Sequence, residues 1–286
     1  MADLTHAPQY LVVGHITRDL IPGGDYRLGG TATYAALAAQ RLGQTVGVLT
    51  SGGPEVEPPP LESLVVHRCP SAESTVFENI YSDHGRQQYI RGVASVLEPA
   101  DVPPGWRAAP IVHLGPVAQE VSPALAEAFP GALIGVTPQG WLRRWNGQGL
   151  VSPTEWVESD RILDAVDVVV LSLEDLGGDR SLLAAYIDRA RMLILTVGER
   201  GAIVHMGGTA QRVPAYRVQE VDPTGAGDVF AAGFLIRYAE TGDAIESTRF
   251  ANCVASFVVE GPGPSTIPTR EQVEERLVHG AQRLDN

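Results

Sequence analysis

Short apolar runs bounded by glycine or polar residues recur along the chain and predict buried β-strands. The first run is YLVV at 10–13, which ends at Gly14. Further runs of this kind lie at 45–49, 111–114, 132–136, 168–171 and 192–197. All of them are much shorter than the roughly 20 residues that a membrane-spanning helix needs.

Helical patterns separate these strands. The Ala-rich segment 31–42 ends at Gly43, a residue that commonly terminates helices. Similar patterns cover 123–129 and 181–190, and an acidic-then-basic pattern predicts a C-terminal helix at 270–284. Strands that alternate with helices are typical of βαβ units, so we expect a mainly parallel sheet covered on both faces.

One region breaks this alternation. Segments 75–81 and 86–90 read as strands, and the SDHG sequence between them predicts a hairpin turn built on Asp83, His84 and Gly85. Together with 19–28 these strands could form a small accessory sheet, although an ordinary edge hairpin is the alternative. We see no long linker or repeat and expect one domain over 1–286.

Charge and composition exclude several classes of function. The formal net charge is −13, which argues against a nucleic-acid-binding surface. All 21 basic residues are Arg, so a P-loop lysine and a Schiff base are excluded. Phosphate chemistry must then use backbone amides, Arg or a metal ion. The 2 cysteines are too few for a disulfide framework, and the N-terminus does not read as a signal peptide, which predicts a cytoplasmic protein.

The histidines give no sign of a metal site. The 7 histidines are scattered, and none has a spacing suited to metal binding. His15 and His113 adjoin predicted strands, where packing in the core or at its rim is the expected role. No Gly-x-Ser-x-Gly sequence appears either, so a zinc hydrolase and a serine hydrolase are both disfavoured.

The stretch VDPTGAGDVFAAGF at 221–234 carries the most specific chemistry. Its glycines can turn several backbone N–H groups toward one point, where the start of the following helix adds a partial positive charge. That combination is an anion site that needs no lysine. Asp228, in the first helical turn, could accept the proton of an attacking hydroxyl. The alternative is a glycine turn in which Asp228 only faces the helix dipole.

The same stretch resembles the C-terminal signature of the ribokinase-like, or PfkB, family of carbohydrate kinases. Three more stretches resemble family landmarks in the family's order: GGTATYA at 29–35, TVGERG at 196–201 and ANCVASFVVEGPG at 251–263. The resemblance implies an α/β fold, the ribokinase-like three-layer α/β/α sandwich with a mainly parallel central sheet. It also implies a small β-sheet lid, with strands from about 17–28 and 74–92.

The resemblance assigns roles to individual residues. Asp228 falls on the catalytic base, and the anion hole falls on Gly225, Ala226 and Gly227. The acceptor would be held by Asp19, Gly29 and Gly30, because a carboxylate accepts hydrogen bonds from hydroxyls and glycines permit close approach. The nucleotide would be lined by Thr196, Gly198, Gly201, Asn252 and Gly263. A locally bonded Asn252 inside a helix is the alternative for that residue.

Some positions depart from the family's pattern. Many members carry Asn where this chain has Thr31 and Tyr34, so acceptor contacts there, including one from Thr31, should differ. The magnesium-associated Asn-x-x-Glu motif appears as SLED at 172–175. The candidate metal ligands in this motif are Asp175 and, as a substitute, Glu174. The resemblance also places Asp222 where many members help to coordinate a monovalent cation such as K⁺.

The stretch TPQGWLR at 137–143 follows a strand, where ligand contacts often lie in open α/β sheets. Gln139 and Arg143 are the candidate acceptor contacts in it, and a rim loop with a solvated Arg is the alternative.

The expected function is ATP-dependent phosphorylation of a hydroxyl on a sugar or polyol, with Mg²⁺ as cofactor. The 172–175 and 137–143 stretches look more like the inositol-kinase-like branch than ribokinase itself. Two alternatives stay open: a nucleoside kinase in which Tyr34 stacks or packs against the base, and a non-catalytic sugar- or nucleotide-binding protein. The expected partner is a small molecule rather than nucleic acid or a membrane, and an exposed lid sheet could pair with a second copy.

Overall fold

The computed structural model describes residues 4–21, 23–54, 64–82 and 85–282, with the side chains of 81, 82, 85 and 86 left aside. In chain order the described strands are β1 (Tyr10–Val13), β2 (Thr17–Leu20), β3 (Tyr26–Gly29), β4 (Val46–Gly52), β5 (Val65–Pro70), β6 (Val76–Ser82), β7 (Gly85–Gly92), β8 (Ile111–Leu114), β9 (Leu133–Val136), β10 (Arg143–Trp145), β11 (Val151–Pro153), β12 (Val168–Ser172), β13 (Met192–Thr196), β14 (Ala202–Met206) and β15 (Thr209–Val213). The described α-helices are α1 (Thr31–Arg41), α2 (Ser159–Ala165), α3 (Arg180–Arg189), α4 (Ala226–Thr241), α5 (Ala244–Val258) and α6 (Arg270–His279).

A nine-stranded sheet, in the order β15-β14-β13-β12-β9-β8-β1-β4-β5, forms the centre of the fold. The strands from β13 to β5 run parallel, and β14 and β15 continue the sheet as an antiparallel hairpin. One face packs against α1, α4 and α5, and the other against α2 and α3. The apolar runs are buried because both faces are covered, which confirms the predicted α/β sandwich.

A second sheet, in the order β3-β2-β6-β7, stands apart from the central one. Its β6–β7 hairpin matches the predicted hairpin, although Asp83 and His84 of the predicted turn lie outside the described residues. The outer strand β7 contacts the short β10–β11 hairpin, where the Ile90 N–H donates to the Gly149 carbonyl. This contact joins the small sheet to the β10–β11 hairpin, which is a separate two-stranded sheet.

Three details of the sequence prediction are wrong or incomplete. Residues 123–129 do not form an α-helix: Pro123–Glu127 is a short 3₁₀ helix. The C-terminal helix ends at His279 rather than continuing to 284. The β14–β15 hairpin was missed although Gly207 and Gly208, both at positive φ, form the two-residue turn typical of hairpins.

Both histidines adjoining strands are fully buried, as predicted. The ring nitrogens of His113 form hydrogen bonds with the hydroxyl groups of Tyr10, at 2.7 Å, and Thr137, at 3.0 Å. Burial lowers the pKa of His113 to about 3. His15 contacts Thr75 and the Ser95 carbonyl.

Among the described residues, no helix combines the length and apolarity needed to cross a bilayer.

Candidate active site

The glycine loop before α4 has a backbone that only glycine fits well. Gly225, the residue before the helix, has a φ of 79°. A Cβ atom built there would overlap the ring of Tyr34 in α1. Glycine is therefore required at this position, both because the backbone is left-handed and because there is no space for a side chain.

The first turn of α4 presents backbone N–H groups that have no intrahelical acceptor. The first helical hydrogen bond runs from the Val229 N–H to the Gly225 carbonyl, and the Ala226 N–H closes a turn on the Pro223 carbonyl. Gly227 and Asp228 are thus the first-turn positions whose N–H groups point out of the helix end. This differs in detail from the predicted anion hole, because the N–H of Ala226 is already used.

Asp228 itself lies partly exposed beside this loop. Burial of its carboxylate raises the pKa to about 6, while a hydrogen bond from Thr31 works in the opposite direction. The charge of Asp175 raises the pKa further, that of Arg143 lowers it, and that of Asp19 raises it. Asp228 is therefore a carboxylate that titrates close to neutral pH, as a general base requires.

Asp19 lies on β2 of the small sheet and faces a glycine pair. The Thr17 hydroxyl donates to Asp19 Oδ1 at 2.8 Å. A Cβ atom on Gly29 would overlap Asp19 Oδ2, and Gly30 has a φ of 82°. Gly29 therefore permits Asp19 to approach the start of α1, whereas a Cβ atom on Gly30 would overlap the His15 carbonyl.

Asp175 is held in a turn after β12. Its Oδ2 accepts hydrogen bonds from the Ser172 N–H and hydroxyl, both at 2.8 Å, and its Oδ1 accepts one from Gln139 Nε2 at 3.1 Å. Glu174 is exposed on the same turn. The Ser172–Asp175 pair thus keeps the turn closed in the absence of the family's Asn.

Metal ligands are not gathered into a cluster. Across the described part of the chain, no group of three or more His, Cys, Asp or Glu side chains is arranged to hold a metal ion. Asp222 instead binds backbone: its Oδ1 accepts from the Thr224 N–H at 3.0 Å and its Oδ2 from the Gly263 N–H at 3.2 Å. Burial opposes ionisation of Asp222, but these hydrogen bonds prevail and lower its pKa. Asp222 therefore ties the glycine loop to the loop after α5.

Arg143 brings positive charge to this site from β10. Its Nη1 lies 3.5 Å from the Val117 carbonyl, and its guanidinium lies 5.8 Å from the centre of the Phe77 ring in the small sheet. The charge of Arg143 lowers the pKa of Asp228.

The residues predicted to line the nucleotide begin at the carboxyl end of β13, where Thr196 pairs with Ser172 of the neighbouring strand β12. The Thr196 hydroxyl donates to the Leu171 carbonyl at 3.3 Å. Gly198 and Gly201 have positive φ and flank the turn between β13 and β14. The buried Asn252 donates from Nδ2 to the carbonyls of Val213 and Pro214, which are 39 and 38 positions away, so its amide is bonded across the fold and not locally within its helix. Gly263 was also predicted to line the nucleotide. Its N–H donates to Asp222, which links it to the glycine loop.

Tyr34 is not placed to stack on a nucleobase, which is the role that the nucleoside alternative gave to this residue. Its side chain is 4% exposed, and its ring covers Gly225. Burial, followed by the charges of Asp19, Asp222 and Asp228, raises the pKa of the Tyr34 hydroxyl well above its usual value. The ring therefore has no open face on which a nucleobase could stack.

Glu120 is a buried residue that the sequence analysis missed. Its carboxylate is 1% exposed and accepts from the backbone N–H groups of His15, Val117 and Ala118, at distances from 2.6 to 3.0 Å. It thereby joins the segments that follow β1 and β8. Its bonds to Val117 and Ala118 are local, but the contact that joins the two segments is to His15, 105 positions away, and no local pattern marks it.

Replacing Glu120 with glutamine is expected to lower the free energy of unfolding by about 2–3 kcal/mol, because the amide NH₂ group would face N–H donors. Urea denaturation measures this change. The control is Glu127→Gln, which breaks an exposed ion pair with Arg161 and should have a much smaller effect. Equal losses in the two variants would contradict the role given to Glu120.

Comparisons with known proteins find similarity to sugar and nucleoside kinases. Residues 161–270 match the model of the pfkB family of carbohydrate kinases. A nucleoside kinase of Methanothermobacter thermautotrophicus is 27% identical over 273 residues, which cover 87% of this chain and 84% of the relative. A fructokinase of Escherichia coli is 28% identical over 308 residues, which cover 92% and 97%.

Solved structures show the same fold. A pyrophosphate-dependent kinase of the ribokinase family, in complex with a pyrophosphate analogue and myo-inositol, superposes with a TM-score of 0.78 at 21% identity and covers 93% of this chain and 99% of its own. The nucleoside kinase of Methanocaldococcus jannaschii superposes with a TM-score of 0.73 at 21% identity and covers 96% and 99%. The family match covers residues 161–270, and over nearly the whole chain the sequence and the fold are similar to those of sugar and nucleoside kinases.

Proposed function

We propose that the protein transfers a phosphoryl group from ATP to a hydroxyl of a sugar or polyol, such as an inositol, and that the whole chain acts as one kinase domain. The observation that carries this proposal is the position of Asp228: a carboxylate with a pKa of about 6 in the first turn of α4, directly behind the glycine loop. A base and an anion site side by side are what phosphoryl transfer to a hydroxyl needs.

The reaction follows from these groups. Asp19 accepts hydrogen bonds from acceptor hydroxyls, and Asp228 takes the proton of the attacking hydroxyl. The acceptor oxygen forms a bond to the γ-phosphorus as the bond to the β-phosphate oxygen breaks, and ADP leaves. The N–H groups of Gly227 and Asp228 and the charge of Arg143 support the negative charge that develops on the transferred group.

Mg²⁺ fits this site in a limited way. A magnesium ion keeps several water ligands and is usually held by one or two carboxylates together with substrate phosphates. Asp175 offers such a carboxylate through Oδ1, which accepts one bond from Gln139 and keeps a free lone pair, whereas Oδ2 already accepts two bonds from Ser172. When bound, the ion would neutralise phosphate charge.

The inner face of the small sheet supports a polyhydroxylated acceptor. Asp19 pairs with Phe77, and the Phe77 side chain is buried against Val117 of the main body. Asn79, two residues after Phe77, lies on the same face, where Gln88 Nε2 donates to its Oδ1 at 3.1 Å. A carboxylate and two amides on one face can satisfy several hydroxyl groups at once, so we take this sheet to be the lid over the acceptor.

Replacing Asn79 with leucine is expected to raise KM for the acceptor about 5- to 10-fold, the effect of one lost hydrogen bond, and to leave KM for the donor unchanged. Steady-state kinetics with each substrate varied in turn measures both values. Ile80→Leu is the matched control, because residue 80 lies on the opposite face of the strand. A rise in KM for the donor, or the same result with the control, would rule out this role for Asn79.

Two relatives that are named nucleoside kinases favour the nucleoside alternative. The contact that first suggested this alternative is lost, because the ring of Tyr34 is buried against Gly225.

A screen of sugars, inositols and nucleosides, each with ATP and with pyrophosphate, tests the proposal. We expect acceptor-dependent consumption of ATP with a sugar or polyol. Ligand binding without consumption of either donor would favour a non-catalytic binding protein. The K⁺ dependence, the homodimer through the lid and the cytoplasmic location stay predictions.

A further inference from the structure

Thr31 contacts the carboxylate of Asp228 directly. The Thr31 hydroxyl donates to Asp228 Oδ1 at 2.7 Å, although the two residues are 197 positions apart in the chain. Thr31 is the first residue of α1, and Asp228 lies in the first turn of α4, against which α1 packs. The ends of two helices therefore meet at this hydrogen bond.

The side chain of Thr31 has little freedom to turn away. It is 1% exposed, and a Cβ atom on Gly115, just after β8, would overlap its methyl group. The methyl group thus fills the space that Gly115 leaves. A β-branched side chain also has few permitted rotamers in a helix. Packing of the methyl group therefore aims the hydroxyl at Asp228.

This hydrogen bond gives the two carboxylate oxygens of Asp228 different surroundings. Within the described part of the chain, Oδ1 accepts the bond from Thr31 and Oδ2 accepts none from the protein. The single O–H donor of Thr31 is committed to this bond, so it is not available to an acceptor hydroxyl. This changes the role that the sequence suggested, in which Thr31 contacts the acceptor.

We infer that Thr31 is a positioning residue for the base: its hydroxyl fixes Oδ1 of Asp228 and leaves Oδ2 to take the proton of the acceptor hydroxyl. The inference rests on the proposed function, because it assigns Asp228 the role of base.

The hydrogen bond also favours the ionised form of Asp228, against burial and the neighbouring acids. The titratable and charged groups that act on Asp228 or are acted on by it are Asp19, Asp175, Arg143, Tyr34 and Tyr10. A bond donated to a carboxylate lowers its pKa, so removal of this bond should raise the pKa above about 6. Activity would then be lost at a higher pH on the acid side.

The test compares the pH dependence of kcat for the wild type, Thr31→Val, Thr31→Ala and Thr31→Ser. The two variants without a donor should have a kcat about 10- to 100-fold lower, with the acid limb shifted up by about one pH unit and KM for the acceptor little changed. Thr31→Ser keeps the donor and should keep the acid limb of the wild type. Thermal melting shows which variants are folded, and Thr31→Ala replaces Thr31→Val if the latter is not.

An acid limb at the wild-type position in both donorless variants would overturn the inference, as would a large rise in KM for the acceptor at constant kcat. Asp228→Asn, measured beside them, separates the two levels of the account. If it abolishes turnover while the Thr31 variants keep the wild-type limb, only the role of Thr31 fails. If it leaves turnover intact, the proposed base itself is wrong.

Discussion

Replacing Asp228 with asparagine is expected to lower kcat about 10²- to 10⁴-fold, the usual contribution of a general base. Asparagine keeps the size of the side chain and can still accept the hydrogen bond from Thr31, but it cannot take a proton. KM for both substrates should change little, since the base acts mainly in the transition state. Initial rates of ADP formation under saturating substrate measure the effect.

The matched control is Asp188→Asn, the same chemical change at an exposed position of α3. It should keep wild-type kcat and melting temperature. Comparable turnover in Asp228→Asn and Asp188→Asn would show that Asp228 takes no part in the proton transfer.

The second large effect is expected from Gly225→Ala. The new methyl group would overlap the ring of Tyr34, and the backbone at φ 79° disfavours any side chain. We expect overpacking to lower the free energy of unfolding by about 1–3 kcal/mol. We also expect kcat to fall about 100-fold, because the N–H groups of the loop would be displaced from the transferred phosphoryl group. Urea denaturation and steady-state kinetics measure the two effects.

Gly242→Ala separates the two causes. Gly242 ends α4 with a φ of 69°, yet a Cβ atom there would have no neighbour within 4 Å. This variant carries the backbone strain without the overlap and lies at the other end of the helix. It should lose some stability but keep its kcat. A Gly225→Ala enzyme with wild-type kcat would contradict the idea that the loop positions the phosphoryl group.

Much of the fold could be predicted because its signals are local. The apolar runs of the parallel strands are continuous, since both faces of the sheet are buried, and β1 and β8 have the predicted bounds. The glycine loop before α4 could be predicted for a similar reason, because the residues that allow its backbone conformation are adjacent in the sequence. Local sequence also indicated the small sheet through the alternation in β6 and β7.

The contacts that organise the candidate site could not be predicted in the same way. The bond between Thr31 and Asp228, and the packing of Tyr34 on Gly225, join residues nearly two hundred positions apart. The sequence suggested substrate contacts for both α1 residues, because their type alone does not show that the protein uses them internally. Glu120 was missed because its partners are backbone N–H groups from two separate loops.

The central claim is that this chain moves a phosphoryl group onto a hydroxyl with Asp228 as the base. Mass spectrometry of the acceptor after incubation with ATP tests it most directly, with wild-type protein and Asp228→Asn side by side. We predict that the wild type adds one phosphoryl group to a sugar or polyol and that Asp228→Asn adds almost none in the same time. Equal product from the two proteins would contradict the claim, as would an acceptor that binds the wild type and is never phosphorylated.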